Sequence, residues 1–199
     1  MTASVAPQTG LAVEPPADIP RDIFDAAVAT FLACRRLDMR ALAGELGISR
    51  ATLYRHAGGR DRLLGEVLCY RTRLALAAAA VDTDRLKGEK RVVTIVERFM
   101  RMVHASAPLH RLLESEPETA LRLLTSKHGP VQRRVIDGLE RLLAHEEANG
   151  DLRLGVEPTA LAYAIVRIGE SFLYADVIAD NDPDVDQAVT LVARLLRAE

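Results

Sequence analysis

The 199-residue chain has no tryptophan, and its aromatic residues amount to only 4%. That scarcity argues against a strand-rich fold, which draws on aromatic and β-branched clusters. Only two cysteines occur, Cys34 and Cys69, and their separation gives neither metal-ligand spacing nor a disulfide framework. Both fall in apolar helical patterns and are read as core residues. The five histidines form no cluster, HExxH is missing, and no glycine-rich phosphate loop or exposed-serine context occurs. His145-Glu146-Glu147 reads as solvated surface. No catalytic residue, metal or cofactor is therefore expected. No segment is a charge-free membrane span, and the stretch up to Pro20 lacks a basic start and a long apolar run, so a cytoplasmic protein without membrane contact is expected. A net charge of -2 excludes a uniformly basic protein that coats nucleic acid, but not a local basic patch.

What is abundant is apolar residues, at 49%, dominated with arginine by the helix-favouring Ala and Leu, and these predict an all-α protein. Residues 1–17, rich in Pro, Ala, Ser and Thr, read as a flexible arm. Residues 18–73 read as an N-terminal unit of short helices, and residues 74–199 as a separate helical domain. A first helix is expected over Ile19 to Arg35, capped by Asp18, with Ile23, Ala27, Phe31 and Cys34 as its buried stripe. Asp38 caps a second helix from Met39 to Glu45, Gly47 closes it, and Ser49 caps a third from Arg50 to His56. The Gly58-Gly59 pair separates that helix from a long one reaching Ala80. Beyond it, helices are expected over Glu89–His104, from Pro108, Pro117 and Pro130 (the last to Ala148), over Pro158–Ala179, and from Asp184.

Helix, short turn and short helix make a helix-turn-helix, in which Ala43 permits close approach and Ile48 plugs the turn. The second of these helices enters the major groove with its first residues near bases, while flanking groups hold phosphates. Leu53 must anchor it, so Ser49, Arg50, Ala51 and Thr52 turn toward the groove. Arg50 suits bidentate pairing with guanine, and Ala51 suits contact with a thymine methyl. Tyr54, Arg55 and His56 follow as phosphate or base contacts, with Arg60 and Arg40 flanking them as phosphate contacts. Residues 18–73 hold ten arginines against seven acidic residues, a local excess of positive charge in an acidic protein.

The stretch from Asp38 to His56, followed by Gly59-Arg-Asp-Arg-Leu-Leu64, resembles the TetR family of bacterial repressors. Leu53, Tyr54 and His56 stand where that family has its Leu-Tyr-x-His core, and Arg60 stands at its basic position after the recognition helix. The Phe31-to-Arg36 segment further resembles a subgroup that includes actinobacterial regulators of quorum-sensing lactone degradation. Two departures stand out. The connection before Asp38 is short, and Ala57 replaces the family's phenylalanine, leaving Phe24, Phe31 or Leu64 to fill the space. The resemblance implies a homodimer that reads an inverted repeat in double-stranded DNA and lets go when a small molecule enters the C-terminal domain.

The dimer is expected to form through the Pro158–Ala179 helix and the last helix as a four-helix bundle, with Gly169 allowing close helix approach. Candidate effector contacts are Phe99, Met102, Val103, His104, Tyr163, Arg167, Glu170 and Phe172, walls suited to a hydrophobic effector. A helical interaction module without specific DNA binding is the alternative. Salt-sensitive affinity for duplex DNA distinguishes the two.

Overall fold

Asp38 and Ser49 organise the first quarter of the chain. In the computed structural model, which describes residues 13–126, 129–179 and 181–197, the Asp38 carboxylate accepts from the N–H groups of Arg40 (2.8 Å) and Ala41 (2.7 Å). Those bonds, chiefly that from Ala41, hold its pKa below the ordinary value. Ser49 Oγ accepts from Thr52 N–H at 3.0 Å. These caps start α2 (Met39–Glu45) and α3 (Arg50–Ala57). Between them Gly47 takes φ +65°, and the Ile48 N–H returns to Ala43 O at 3.1 Å, the bond that closes a helix on a left-handed residue.

The preceding helix, α1 (Arg21–Leu32), is shorter than its sequence pattern. Arg35 N–H reaches back to Thr30 O at 3.1 Å around Cys34, which sits at φ +54°. Cys34 therefore lies exposed in a turn, not in the core, whereas Cys69 is buried and its thiol pKa is raised by that burial. Asp18 does not cap α1. It pairs instead with Arg62.

From Gly59 the chain enters α4 (Arg60–Ala80), a helix of 21 residues and roughly 30 Å. It crosses the boundary expected at residues 73/74 without a break. Its first half packs on α1, and the helix also meets α5 (Gly88–His104), α7 (Pro117–Thr125) and α8 (Pro130–Ala148). Phe24, Leu53, Leu63, Leu64 and Val67 are fully buried around Ala57, and Phe24 meets Tyr70 edge-on at 5.4 Å between ring centroids. Phe24, Phe31 and Leu64 all belong to the buried cluster that contains Ala57, and the same cluster continues to Leu123 and Val131.

The remaining helices are α6 (Ala107–Ser115), α9 (Pro158–Leu173), α10 (Ala175–Ile178) and α11 (Val185–Arg197). Among the described residues every regular element is helical. The helix read as continuous to Ala179 breaks at Tyr174, whose φ of -115° leaves the helical range while its ring is buried. Glu146 also departs from the sequence reading. It is 1% exposed and accepts from Gly88 N–H (2.6 Å) and Arg91 (2.8 Å), pinning the end of α8 to the start of α5. Gly88 has φ +54°, and a Cβ there would stand 2.0 Å from Asp151 O, so only glycine fits.

Candidate nucleic-acid interface and effector cavity

The α3 helix buries Leu53 and Ala57 and turns its other face outward. Arg50, Ala51, Tyr54 and Arg55 are exposed, Thr52 and His56 are half-buried, and Ser49 and Arg40 are exposed beside them. Ser49 Oγ and Thr52 Oγ1 lie 2.9 Å apart, so the two hydroxyls are oriented by each other. The cations separate into two groups. Arg35 binds Glu45, Arg36 binds Glu116 and Arg62 binds Asp18. Arg40, Arg50 and Arg55 have no carboxylate partner among the described residues. Arginines left exposed and unpaired on and beside a recognition helix make a surface suited to phosphates and base edges.

Arg60 sits otherwise than its sequence context implied. Its guanidinium donates to Leu37 O (Nε, 2.7 Å) and to Glu116 Oε1 (Nη2, 2.6 Å), and it is only 20% exposed. A planar fork held on two sides ties the start of α4 to the α2 approach and to the α6–α7 junction.

A cavity of about 800 Å³, open on one side, lies between α4, α5, α8 and α9 with the α5–α6 loop as its floor. Its walls are mostly aliphatic. Of the residues expected around an effector, Phe99, Met102, Val103 and Glu170 line it. His104 is exposed beside His110, with ring centroids 5.7 Å apart. Tyr163 is 54% exposed, Arg167 lies outside the wall and bonds Glu170 at 2.7 Å, and Phe172 packs against the main core. The sequence reading did not include the α4 wall (Leu68, Leu74, Leu76) or Gln132 of α8. Leucines on a long helix carry no signal that separates a cavity wall from solid core. Gln132 stands in the first turn of α8, where polar residues are common, so it carries no such signal either. Gly169 also lines the cavity, and a Cβ there would meet only Met100, with Sδ at 3.8 Å, so close helix approach does not require it.

A helix-turn-helix unit joined through one unbroken helix to a hollow helical domain is the architecture of a DNA-binding transcriptional regulator. Residues 87–197 match the tetracyclin repressor-like C-terminal domain. The transcriptional repressor QsdR of R. erythropolis, a TetR-family protein, is 32% identical, with 88% of this chain and 93% of that one covered and a TM-score of 0.80. AlkX of Dietzia sp. strain DQ12-45-1b, a repressor implicated in biodegradation of n-alkanes, is 24% identical over 88% of this chain and 94% of its own (TM-score 0.60). FadR of Bacillus subtilis, solved with stearoyl-CoA, is 14% identical over 88% and 96% (TM-score 0.58). The latter two share the fold. No curated protein matches the sequence. The chain belongs to the TetR family of transcriptional regulators.

Members of that family act by binding DNA rather than by catalysis. Among the described residues no group of three or more His, Cys, Asp or Glu could hold a metal ion, and no helix is long and apolar enough to cross a membrane.

Proposed function

We propose that this protein is a homodimeric, sequence-specific transcriptional repressor that binds an inverted repeat and is released by a small hydrophobic effector. The observation that carries the proposal is the face of α3 and α2 on which Arg40, Arg50 and Arg55 stand exposed without carboxylate partners among the described residues, beside Tyr54 and His56. Arg50 and Thr52 read base edges, Ala51 permits close approach, and Arg40, Tyr54, Arg55 and His56 hold phosphates. Arg60 has its fork held inside and acts on this surface by positioning it.

One recognition helix covers only a few base pairs, so specificity rests on two-fold pairing. The outer side of α9 and the adjoining α11 supply the pairing surface through Ala160, Tyr163 and Leu191, which are exposed in the single chain. The effector occupies the aliphatic cavity. Its floor, Ala105 to Leu109, leads into α6 and then to Glu116, which holds Arg60. An occupant that shifts α6 would therefore shift the start of α4 and change the spacing of the two recognition helices, a population shift between two dimer geometries. The 32% identity to QsdR supports placing the protein in the subgroup of regulators of quorum-sensing lactone degradation.

The test is selection of duplexes from a random library by the purified protein. Enrichment of two inverted half-sites about one helical turn apart is the expected outcome. No enrichment, or a single unrepeated half-site, contradicts it.

A further inference from the structure

The cavity is aliphatic on nearly all sides, yet two of the described chain's few buried polar side chains face it, and they face it together. Glu170 of α9 is 9% exposed and Gln132 of α8 is 8% exposed. Gln132 Nε2 donates to both Glu170 oxygens at 2.9 Å, and Arg167, from the outer side of α9, donates to Glu170 Oε2 at 2.7 Å. In this arrangement both Glu170 oxygens serve as acceptors of N–H groups. No described donor reaches Gln132 Oε1. The polar end of the cavity therefore presents acceptors. Tyr174, whose ring lines the wall, adds one hydroxyl that can donate a hydrogen bond to a carbonyl.

An apolar ligand that stops short of this patch leaves Gln132 Oε1 without a donor, and a ligand carboxylate would meet Glu170 as a like charge. We infer that the effector is an uncharged amphiphile with an aliphatic chain and a head that donates a hydrogen bond to the Glu170–Gln132 pair, namely an acyl amide or a long-chain alcohol. Free fatty acids, and esters or simple lactones without an N–H or O–H group, are selected against. An amide fits doubly, since its N–H meets Glu170 or Gln132 Oε1 while its carbonyl accepts from Tyr174. The hydroxyls of Thr72 and Ser106 also line the cavity, but they can serve as donor or acceptor and so do not discriminate. Arg71 lines it too, but it is solvent-exposed, where pairing with a carboxylate is weak.

This inference rests on the reading of the cavity as the effector site, and its test separates the two. Calorimetric titration of the full-length protein with decanamide, decanol, methyl decanoate and decanoic acid compares heads on one chain length. Decanamide and decanol are expected to bind about ten-fold or more tightly than the ester and the acid, the worth of one hydrogen bond to a buried charged group. In Glu170→Leu and in Gln132→Leu, each verified as folded by its melting transition, the four affinities should converge while chain binding persists. An ester equal to the amide in the native protein overturns the proposal without needing a variant, as does a head-group preference that survives both substitutions. Tightest binding by decanoic acid, abolished by Arg71→Ala, would move the head to Arg71 and also overturn it. If none of the four binds, the effector-site reading itself fails.

Discussion

Replacing Arg60 by alanine separates a residue that holds DNA from one that holds the protein together. Arg60 donates at 2.7 Å to Leu37 O and at 2.6 Å to Glu116, with the two side chains of the ion pair 20% and 13% exposed. A hydrogen bond to a charged partner contributes about 1.5–3 kcal/mol net, and the orphaned Leu37 carbonyl adds a cost of about 1 kcal/mol. Arg36, 3.3 Å from the same Glu116 oxygen but 73% exposed, recovers little of this. Arg60→Ala should therefore destabilise by about 2–4 kcal/mol, lowering Tm by roughly 6–12 °C for a chain of this size. In a urea-unfolding double-mutant cycle with Glu116→Gln, the coupling should be about 1–2 kcal/mol. The salt dependence of DNA binding supplies the second readout. Removing a residue that neutralises a phosphate lowers the log–log slope by about 0.9, whereas removing an internal brace leaves it unchanged. Destabilisation below about 0.5 kcal/mol together with a slope reduced by about 0.9 for each protomer, about 1.8 for the dimer, would rule out the brace and return Arg60 to the DNA surface.

Gly169→Ala should stabilise by about 0.5–1 kcal/mol through helix propensity, since the new methyl group makes only an ordinary 3.8 Å contact with Met100, and should weaken binding of bulky cavity ligands; thermal melts and ligand titration check both. Tyr163→Asp combined with Leu191→Glu should lower the measured mass by half in sedimentation equilibrium without shifting the helical circular dichroism; a dimer that persists would place the interface elsewhere. Burial raises the Glu170 pKa above 4.5, so its contribution to stability is fully present below pH 4.5 and is lost as pH rises through its folded value. The melting temperature of the native protein relative to Glu170→Gln should accordingly rise as pH falls toward 4.5. The opposite trend would mean that the Gln132 and Arg167 bonds outweigh desolvation.

The N-terminal unit was legible because its signals are local. Asp38, Gly47 and Ser49 each act through backbone groups within a few residues, so the identity of the residue nearly dictates the cap or the turn. The end of α1 was less so, because Cys34 continues the apolar spacing while the turn around it places it outside. Glu146 shows why charge alone misleads: its partners, Gly88 N–H and Arg91, are 58 and 55 residues away, and no local pattern announces a buried pair made at that distance. The cavity was legible only in part for the same reason. Phe99, Met102, Val103 and Glu170 lie on helices whose apolar faces could be read, but solid core and hollow core have the same periodicity. Arg60 stands at a basic position of the family pattern, and only the fold reveals Glu116 beside it.

If the exposed arginines of α2 and α3 grip duplex DNA, binding must depend on salt and on each of those side chains. The decisive experiment is the equilibrium affinity for the selected inverted repeat across a salt series, for the native protein and for Arg40→Ala, Arg50→Ala and Arg55→Ala. The native protein should show a steep linear fall of log K with log salt. Arg40→Ala and Arg55→Ala should each reduce that slope by about 0.9 for every phosphate left unneutralised in the bound complex. Arg50→Ala should relax discrimination against mismatched sites by about 1–3 kcal/mol. Affinity indifferent to salt and to all three substitutions would mean that these arginines do not hold DNA, leaving the helix-turn-helix as a scaffold for protein contacts.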